Sequence, residues 1–146
     1  MIKIIVYTDG ASRGNPGPAS IGVAVYNDKG SVLKEYFETI GVTTNNDAEY
    51  QAVIFALKKM KILFGKKNIK NYDILIKSDS QLLVSQLTGE YKVKDSNIQK
   101  LFIEIWNLKT DYHKIDFKHI PREENKLADS LANQALDRDS SNSKLL

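Results

Sequence analysis

Apolar residues recur along the chain with two different periods, and together these periods predict an alternation of strands and helices. Residues 2–8 are apolar on both faces apart from Lys3, which predicts a central strand. Residues 20–27 and 31–40 predict two further strands. The turn NDKG joins them, so an antiparallel hairpin is expected.

The rest of the pattern predicts helices that alternate with two more strands. The predicted elements are a helix over 47–64 capped by TTNND, a strand over 71–79, helices over 81–87 and 98–108, a strand over 114–120, and a final helix opened by Pro121 that ends near residue 137. This order favours an α/β fold with a mixed five-stranded sheet flanked by helices. Strands one, four and five can be parallel, because helices cross between them. Residues 1–137 then form one domain, and the polar tail 138–146 is expected to fray.

The composition is that of an ordinary globular domain. The chain has 146 residues, of which 42% are hydrophobic. It contains no cysteine, which excludes disulfides and thiolate metal sites and favours a reducing, cytoplasmic compartment. We expect neither a signal peptide nor a membrane partner, because no stretch approaches the roughly 18 apolar residues of a membrane span. The net charge of +3 permits nucleic acid as a partner without requiring it.

Two carboxylates lie where parallel strands are predicted to end. Asp9, in the segment YTDGASRGNPGP, ends the first predicted strand, and Asp79 ends the fourth. Open sheets of this kind bind ligands beyond the carboxyl ends of their parallel strands. If the two strands are neighbours, both carboxylates face the same edge of the sheet.

Two further acids are placed on helices that face the sheet. The helix near residue 47 carries an apolar stripe formed by Ala52, Val53, Ala56, Leu57 and Met60. Glu49 heads this stripe, and burial of its carboxylate is unfavourable unless a cation meets it. Asp129 lies beside Ala128 and Ala132, whose small side chains let the last helix approach the sheet closely.

Four converging carboxylates repel one another, and hard divalent cations relieve that repulsion. Oxygen ligands alone favour Mg²⁺ or Mn²⁺ over zinc. Two such ions about 4 Å apart can activate a water molecule and stabilise the leaving oxygen in phosphodiester hydrolysis.

Each acid also has an ordinary structural explanation. Asp9 precedes Gly10, which is typical of a turn, and Asp79 could cap the helix that follows it. Glu49 suits the first turn of a helix because of the helix dipole, and Asp129 alone is typical of a solvated helix face. The residue pattern favours the metal site only modestly over these explanations.

Four segments together resemble the type 1 ribonuclease H family. YTDGASRGNPGP, TTNNDAEYQAVIFAL, KSDSQLLV and ENKLADSLAN are similar to its four acid-bearing motifs and occur in the same order, over roughly residues 1–137. The resemblance implies the RNase H-like fold and endonucleolytic hydrolysis of the RNA strand of RNA–DNA hybrids, giving 5′-phosphate and 3′-hydroxyl ends. It also implies two Mg²⁺ or Mn²⁺ ions. By motif position the ligands are Asp9, Glu49, Asp79 and Asp129, with Asp9 between the two ions.

The same resemblance implies which residues contact the substrate. Ser12 and Asn15 are expected to meet the RNA strand, while Thr44, Asn45 and Gln81 help to hold the two backbones. Short amides and hydroxyls can bond 2′-hydroxyls and phosphates without reading bases. Helix capping explains Asn45 and its neighbour Asn46 equally well. The glycine-rich turn is expected to let the backbone approach the sugar-phosphate chain.

Two residues near the last motif depart from the family pattern. His119 lies ten residues before Asp129, the spacing of a family histidine that assists proton handling or product release. The segment KHIPREEN lacks the usual glycine-containing loop, however, so a structural place at the end of the fifth strand is equally compatible. Arg122 is an alternative cation near the scissile phosphate. Against that role, it is flanked by Glu123 and Glu124, as a solvent-exposed charge would be.

The segment TGEYKVKDSN is short, with Lys92 and Lys94 as its only cations, so the chain resembles the family members without a basic handle. Weaker, more salt-sensitive substrate binding follows, because phosphate contacts dominate affinity. No hybrid-binding module is expected before the first strand. Trp106 lies at helical spacing with Phe102 and Ile103, and we expect it in the core rather than as a platform for base stacking.

Other functions are compatible with the same residues. The same chemistry could act on double-stranded RNA or on RNA–DNA junctions, and an inactive nucleic-acid-binding module would keep the fold. An unrelated phosphate-binding protein would need a glycine-rich loop that leads directly into a helix. Here the glycine-rich turn leads into the strand at Ser20. We expect a monomer.

Overall fold

A five-stranded mixed sheet lies at the centre of the computed structural model, which describes the backbone of residues 1–145 and the side chains of residues 1–140. The strands are β1 (Ile2–Ser12), β2 (Gly17–Asn27), β3 (Val32–Thr43), β4 (Tyr72–Ser78) and β5 (Lys114–His119). The helices are α1 (Asn45–Phe64), α2 (Gln81–Leu87), α3 (Ser96–Lys109) and α4 (Lys126–Leu145), with short 3₁₀ helices at Asn68–Asn71 and Arg122–Glu124. Of these helices, none is long and apolar enough to cross a bilayer.

The sheet has the order β3-β2-β1-β4-β5, which confirms the predicted mixed sheet. Short turns join β1, β2 and β3, so these strands pair antiparallel. Helical crossovers lead to β4 and β5, and the pairs β1–β4 and β4–β5 are parallel. After β1 the chain forms β2 and β3 on one side of β1, and it then returns to form β4 on the other side of β1. The carboxyl ends of β1 and β4 therefore form the point where the strand order reverses.

The main core lies between α1 and the sheet. The predicted apolar stripe of α1 is fully buried, and it consists of Ala52, Val53, Ala56, Leu57 and Met60. It belongs to one cluster with the alternate buried residues of the central strands, namely Ile4 and Val6 of β1 and Ile74 and Ile76 of β4. Each large aliphatic side chain buried in this way stabilises the fold by about 1.5–3 kcal/mol. This packing fixes the position of the first turn of α1 over the ends of the central strands.

Thr44 caps α1, and its hydroxyl accepts a hydrogen bond of 3.2 Å from the backbone N–H of Asp47. The helix therefore begins at Asn45, two residues before the predicted start. Capping, the alternative explanation for Asn45 and Asn46, is wrong, because both lie within the first turn and Thr44 supplies the cap.

Helix α4 packs directly on the backbone of β2. A Cβ added at Gly22 would lie 2.2 Å from the carbonyl oxygen of Ala128 and 2.7 Å from the nitrogen of Ala132. Ser20 Oγ donates a hydrogen bond of 2.6 Å to the carbonyl oxygen of Ala132. The predicted close approach of α4 to the sheet is confirmed. It requires Gly22 on β2 as well as the small residues of α4.

The ends of α4 differ from those predicted. Pro121 does not open the helix. It precedes the 3₁₀ helix Arg122–Glu124, whose tighter hydrogen bonds delay the α-helix to Lys126. The backbone of α4 is helical to Leu145, since its sequence contains neither glycine nor proline to end it. The side chains of Leu145 and Leu146, whose docking the sequence left open, lie outside the described residues, and the division into domain and tail stays a prediction.

Trp106 does not lie in the core, contrary to the sequence interpretation. Its exposed fraction is 58%, and that of Ile103 is 54%. The face of α3 that meets the core is the other apolar stripe, formed by Ile98, Leu101, Ile105 and Leu108. The helix carries apolar residues at helical spacing on two faces, and the sheet and α1 can cover only one of them.

Candidate active site

Asp9 lies inside β1, where the parallel pairing with β4 has already ended. That pairing ends at Tyr7 and Lys77, while β1 continues beside β2 alone, with Asp9 opposite Gly22. Asp9 is 6% exposed. Neither the predicted strand end at Asp9 nor its interpretation as a turn residue is correct. The carboxylate lies at the edge of the parallel part of the sheet because β1 extends past its partner.

Asp79 follows directly after the last residue of β4. It does not cap the next helix. The cap of α2 is Ser80, whose hydroxyl accepts a hydrogen bond of 3.2 Å from the N–H of Leu83. The capping explanation for Asp79 is therefore wrong, and its carboxylate lines the cavity at the sheet edge instead.

Glu49 reaches the same edge from the first turn of α1. It is 9% exposed, and its Oε1 accepts a hydrogen bond from the backbone N–H of Gly10. A Cβ added at Gly10 would lie 2.2–2.4 Å from the backbone of Ala48 and Glu49. Gly10 is thus required for the contact between helix and strand. A corresponding Cβ on Gly17, the first residue of β2, would lie 2.3 Å from the carbonyl oxygen of Arg13, so internal packing also accounts for this glycine.

The carboxylates form one cluster. Single oxygens of Asp9, Glu49 and Asp79 lie within 4.8 Å of one another. Asp129, in the first turn of α4, lines the same cavity, and its charge acts on Asp9. The structure therefore brings together all four acids that were predicted from the sequence.

Burial and mutual repulsion raise the pKa values of the two most enclosed acids. For Asp9, burial is the largest cause, followed by the charges of Glu49, Asp79 and Asp129, and the pKa rises to about 9. Burial also raises the pKa of Glu49, and the Gly10 N–H offsets part of that increase. At neutral pH a site of this kind favours the uptake of positive charge, either as protons or as a metal cation. The set of carboxylate oxygens fits a hard divalent cation such as Mg²⁺ or Mn²⁺.

The acids line an open cavity of about 650 Å³ that also contains two cations, Arg13 and Arg122. Arg122 lies on the 3₁₀ helix before α4, and it is exposed, as its flanking acids suggested, while it also lines this cavity. Arg13 comes from the turn after β1 and pairs with Asp137 of α4 at 2.5 Å. The cavity thus combines a negative centre with positive groups at its rim.

Of the predicted substrate residues, Ser12 and Asn45 line this cavity. The Ser12 N–H donates to Asn45 Oδ1 at 3.1 Å, and the Asn45 N–H donates to Asn15 Oδ1 at 3.0 Å. These bonds join the glycine-rich turn to the start of α1. Asn15, Thr44 and Gln81 lie outside the cavity lining among the described residues, and the last two are the cap of α1 and the first residue of α2. Substrate contact stays a prediction for all five.

His119 is the last residue of β5, paired with Ser78, and its side chain is exposed. This position agrees with the strand-end interpretation. Within residues 1–140 it is not part of the cavity lining, whereas Arg122, three residues later, is. A role for His119 in proton handling stays a prediction.

Sequence reasoning missed two asparagines that contact the acids. Asn125 is 1% exposed, and its Nδ2 donates to the carbonyl oxygen of Thr8 at 2.9 Å and to Asp79 Oδ2 at 3.4 Å. Asn133 Nδ2 donates to the carbonyl oxygen of Asp129 at 3.0 Å and to its Oδ1 at 3.3 Å. Both lie four residues from Asp129, one helical turn away in ENKLADSLAN, and that spacing was the available signal.

Known proteins share both the sequence pattern and this fold. A family model described as "Reverse transcriptase-like" matches residues 7–135. Ribonuclease HI of Halobacterium salinarum is 41% identical over 135 residues, which cover 92% of this chain and 65% of that protein. Bifunctional protein Rv2228c of Mycobacterium tuberculosis is 37% identical over 137 residues, 93% of this chain and 36% of that protein.

Among solved structures, LC11-RNase H1 in complex with RNA/DNA hybrid superposes with a TM-score of 0.89 at 44% identity, covering 93% of this chain and 98% of that one. The sheet order and the acid cluster define a protein of the RNase H-like class. Within that class the chain belongs to the type 1 ribonuclease H family. It spans 65% and 36% of the lengths of the Halobacterium and Mycobacterium relatives.

Proposed function

We propose that this chain is an endonuclease that hydrolyses the RNA strand of RNA–DNA hybrids. The observation that carries the proposal is the group of three carboxylates within 4.8 Å of one another, with a fourth beside them, at the reversal point of the sheet. The similarity to LC11-RNase H1, which was solved in complex with an RNA/DNA hybrid, supports the substrate class.

The four acids would hold two Mg²⁺ or Mn²⁺ ions. When bound, such a pair activates a water molecule and stabilises the leaving oxygen, which gives 5′-phosphate and 3′-hydroxyl products. Asp9 would be a ligand to both ions, because its carboxylate lies among those of Glu49, Asp79 and Asp129 in the same cavity. The Gly10 N–H orients Glu49 by holding one of its oxygens.

The rim of the cavity would hold the sugar-phosphate backbones. Arg122 is proposed to lie near the scissile phosphate and to balance its charge, since an arginine fork suits phosphate oxygens. Ser12, Asn15 and Asn45 are proposed to face the duplex from the turn and the start of α1. Thr44 and Gln81 would support the same backbones. Such groups contact sugars and phosphates, so cleavage should depend little on base sequence.

Metal-dependent cleavage of defined duplexes tests this function. Labelled RNA–DNA, RNA–RNA and DNA–DNA duplexes are incubated with Mg²⁺ or Mn²⁺ and either the wild type, Asp9→Asn, or the control Asp28→Asn, which changes an exposed acid in the β2–β3 turn. We expect cleavage of the RNA strand in hybrids by the wild type and the control only, with 5′-phosphate ends.

The other results separate the alternatives. Cleavage of RNA–RNA duplexes at a comparable rate would change the substrate class and keep the chemistry. Binding of duplexes without cleavage would favour an inactive binding module. Full activity of Asp9→Asn would refute the metal assignment. We also propose that the enzyme is a cytoplasmic monomer, which sedimentation can test for the oligomeric state.

A further inference from the structure

We infer that Asn125 is a positioning residue of the acid cluster, an inference that rests on the proposed metal-dependent function. Its side-chain nitrogen donates to two acceptors from different elements, the carbonyl oxygen of Thr8 in β1 at 2.9 Å and Oδ2 of Asp79 at 3.4 Å. Thr8 directly precedes Asp9. One amide group therefore joins the strand that carries Asp9 to the carboxylate of Asp79.

The chemistry of the two partners fixes the orientation of this amide. A backbone carbonyl oxygen can only accept a hydrogen bond, so the NH₂ group must face Thr8, and in that orientation it also faces Oδ2 of Asp79. The amide oxygen then points the other way, and this buried Oδ1 has no hydrogen-bond partner among the described residues. A buried unpaired acceptor is unfavourable by about 1–3 kcal/mol. Packing alone would favour an apolar residue at this position. The amide is therefore explained by the two hydrogen bonds that its NH₂ group donates, to Thr8 and to Asp79.

The backbone of Asn125 extends the link to a third acid. Its carbonyl oxygen accepts a hydrogen bond of 3.1 Å from the N–H of Asp129. Its own N–H donates to the carbonyl oxygen of Arg122 at 3.0 Å. A displacement of Asn125 would therefore shift Asp79 and Asp129 relative to β1. Groups that orient metal ligands in this way typically change metal affinity or activity by about 10–100-fold when they are removed.

A simpler role would be to attach α4 to the sheet, and Ser20 offers a matched control for it. Ser20 is fully buried, and its hydroxyl donates to the carbonyl oxygen of Ala132 in the same helix at 2.6 Å. Within the described part of the chain, this bond reaches none of the four acids. Ser20→Ala thus removes a buried hydrogen bond between helix and sheet and leaves the acid cluster intact.

The experiment compares Asn125→Ser and Asn125→Ala with Ser20→Ala and the wild type. Mn²⁺ binding is measured by electron paramagnetic resonance without substrate, and thermal unfolding is measured in EDTA. The Mg²⁺ dependence of kcat and KM on hybrid is recorded in parallel. We expect the Mn²⁺ Kd to rise about 10–100-fold in the Asn125 variants. In Ser20→Ala it should stay within about twofold, even if both classes of variant lose the same Tm.

The possible outcomes separate this inference from the proposed function. Mn²⁺ affinity of the Asn125 variants equal to that of the wild type overturns the positioning role, and so does an equal loss in Ser20→Ala. A wild type that binds Mn²⁺ but cleaves no hybrid refutes the proposed function, while a raised Kd in Asn125→Ser still supports positioning. If the wild type binds no Mn²⁺, both fail.

A second measurement covers the case in which the Asn125 variants do not fold. The side-chain amide signal of Asn125 can be followed by ¹⁵N nuclear magnetic resonance in the wild type during Mg²⁺ titration. A shift of this signal that saturates together with Mg²⁺ binding supports the positioning role. A signal that does not move while other signals report Mg²⁺ binding overturns it.

Discussion

The backbone N–H of Gly10 donates a hydrogen bond to Oε1 of Glu49, and this bond joins the last part of β1 to the first turn of α1. The two segments are 39 residues apart in the chain. Their contact is possible because Gly10 has no Cβ to push the helix away. The same contact places Glu49 beside Asp9. The acid cluster therefore forms only when the helix packs on the strand.

Gly10→Ala should therefore impair both stability and activity. The new Cβ would lie 2.2 Å from the carbonyl carbon of Ala48, so α1 must move. Overpacking typically lowers the free energy of unfolding by about 1–3 kcal/mol, and we expect a loss at the upper end of this range. Displacement of Glu49 by even 1 Å should lower kcat on hybrid about 100-fold. Urea unfolding and single-turnover cleavage measure the two effects.

Gly30→Ala is the matched control. Gly30 has a φ of +83° in the β2–β3 turn, and a Cβ there meets nothing within 4 Å. The change should destabilise the fold by about 1–2 kcal/mol through backbone strain alone. Activity per folded molecule should not change. Equal losses of kcat in both variants would contradict the role given to Gly10.

The metal-free protein should become less stable as the pH rises. In the unfolded chain, Asp and Glu titrate near pH 4, whereas the folded-state pKa of Asp9 is raised to about 9 and that of Glu49 is raised as well. Between these limits the folded state binds more protons, so the free energy of unfolding falls with increasing pH. The limiting slope is about 1.4 kcal/mol per pH unit for each additional proton.

Thermal unfolding in EDTA between about pH 5 and 8.5 measures this slope. Saturating Mg²⁺ should reduce it, because the cation then neutralises the acids in place of protons. The gain in Tm from Mg²⁺ should accordingly grow with pH. A Tm in EDTA that rises steadily over the same range would contradict the burial and repulsion inferred for Asp9.

Asp9→Asn should stabilise the metal-free protein while abolishing its activity. The amide stays neutral without taking up a proton or a cation, which Asp9 must do in this buried, mutually repelling group of acids. We expect the Tm in EDTA to rise by about 3–6 °C, which is ~1–2 kcal/mol for a domain of this size. Hydrolysis of hybrid should fall by at least about 100-fold. The exposed Asp28→Asn should change neither quantity, and an Asp9→Asn protein that melts lower in EDTA would argue against repulsion.

His119→Ala should lower kcat less than tenfold, because the side chain is exposed at the end of β5 and does not line the cavity among the described residues. An essential general acid or base typically contributes about 100–10,000-fold. Arg122→Ala, in the cavity, should have the larger effect on KM and should reduce the dependence of binding on salt. A hundredfold fall in kcat for His119→Ala would assign it the proton-transfer role instead.

Adjacent residues of α3 should respond very differently to truncation. Ile105 is 1% exposed and Trp106 is 58% exposed. Ile105→Ala should cost about 2–5 kcal/mol of stability, whereas Trp106→Ala should cost less than about 1 kcal/mol. Urea unfolding of both variants measures the difference. A larger loss for Trp106→Ala would restore the core assignment.

The sequence was most informative where one physical requirement dominated. Alternating periods predicted the order of the elements because each strand and helix must bury one face. The four acids were found because carboxylates at buried positions need a compensating partner, and the structure brings all four together. The small residues of α4 correctly indicated its close approach to the sheet, which Gly22 permits.

The predictions that were wrong or missing share a different cause. Each depends on a contact with another element of the fold, and the local sequence pattern does not reveal such contacts. Trp106 fits a helical stripe, yet only packing against α1 decides which stripe of α3 is buried. The end of β1 could not be predicted, because its last residues pair with β2 after the pairing with β4 has ended. Asn125 escaped notice because its partners, Thr8 and Asp79, are distant in sequence.

The turn between β2 and β3 divides the chain so that Asp9 lies on one side and the other three acids on the other. Two fragments separated at that turn would each lack a complete cluster, and only their reassociation into the native sheet could restore it. Recovery of manganese affinity on mixing would then report complementation directly. A split form of this protein could thus serve as a sensor of proximity between two molecules fused to its halves.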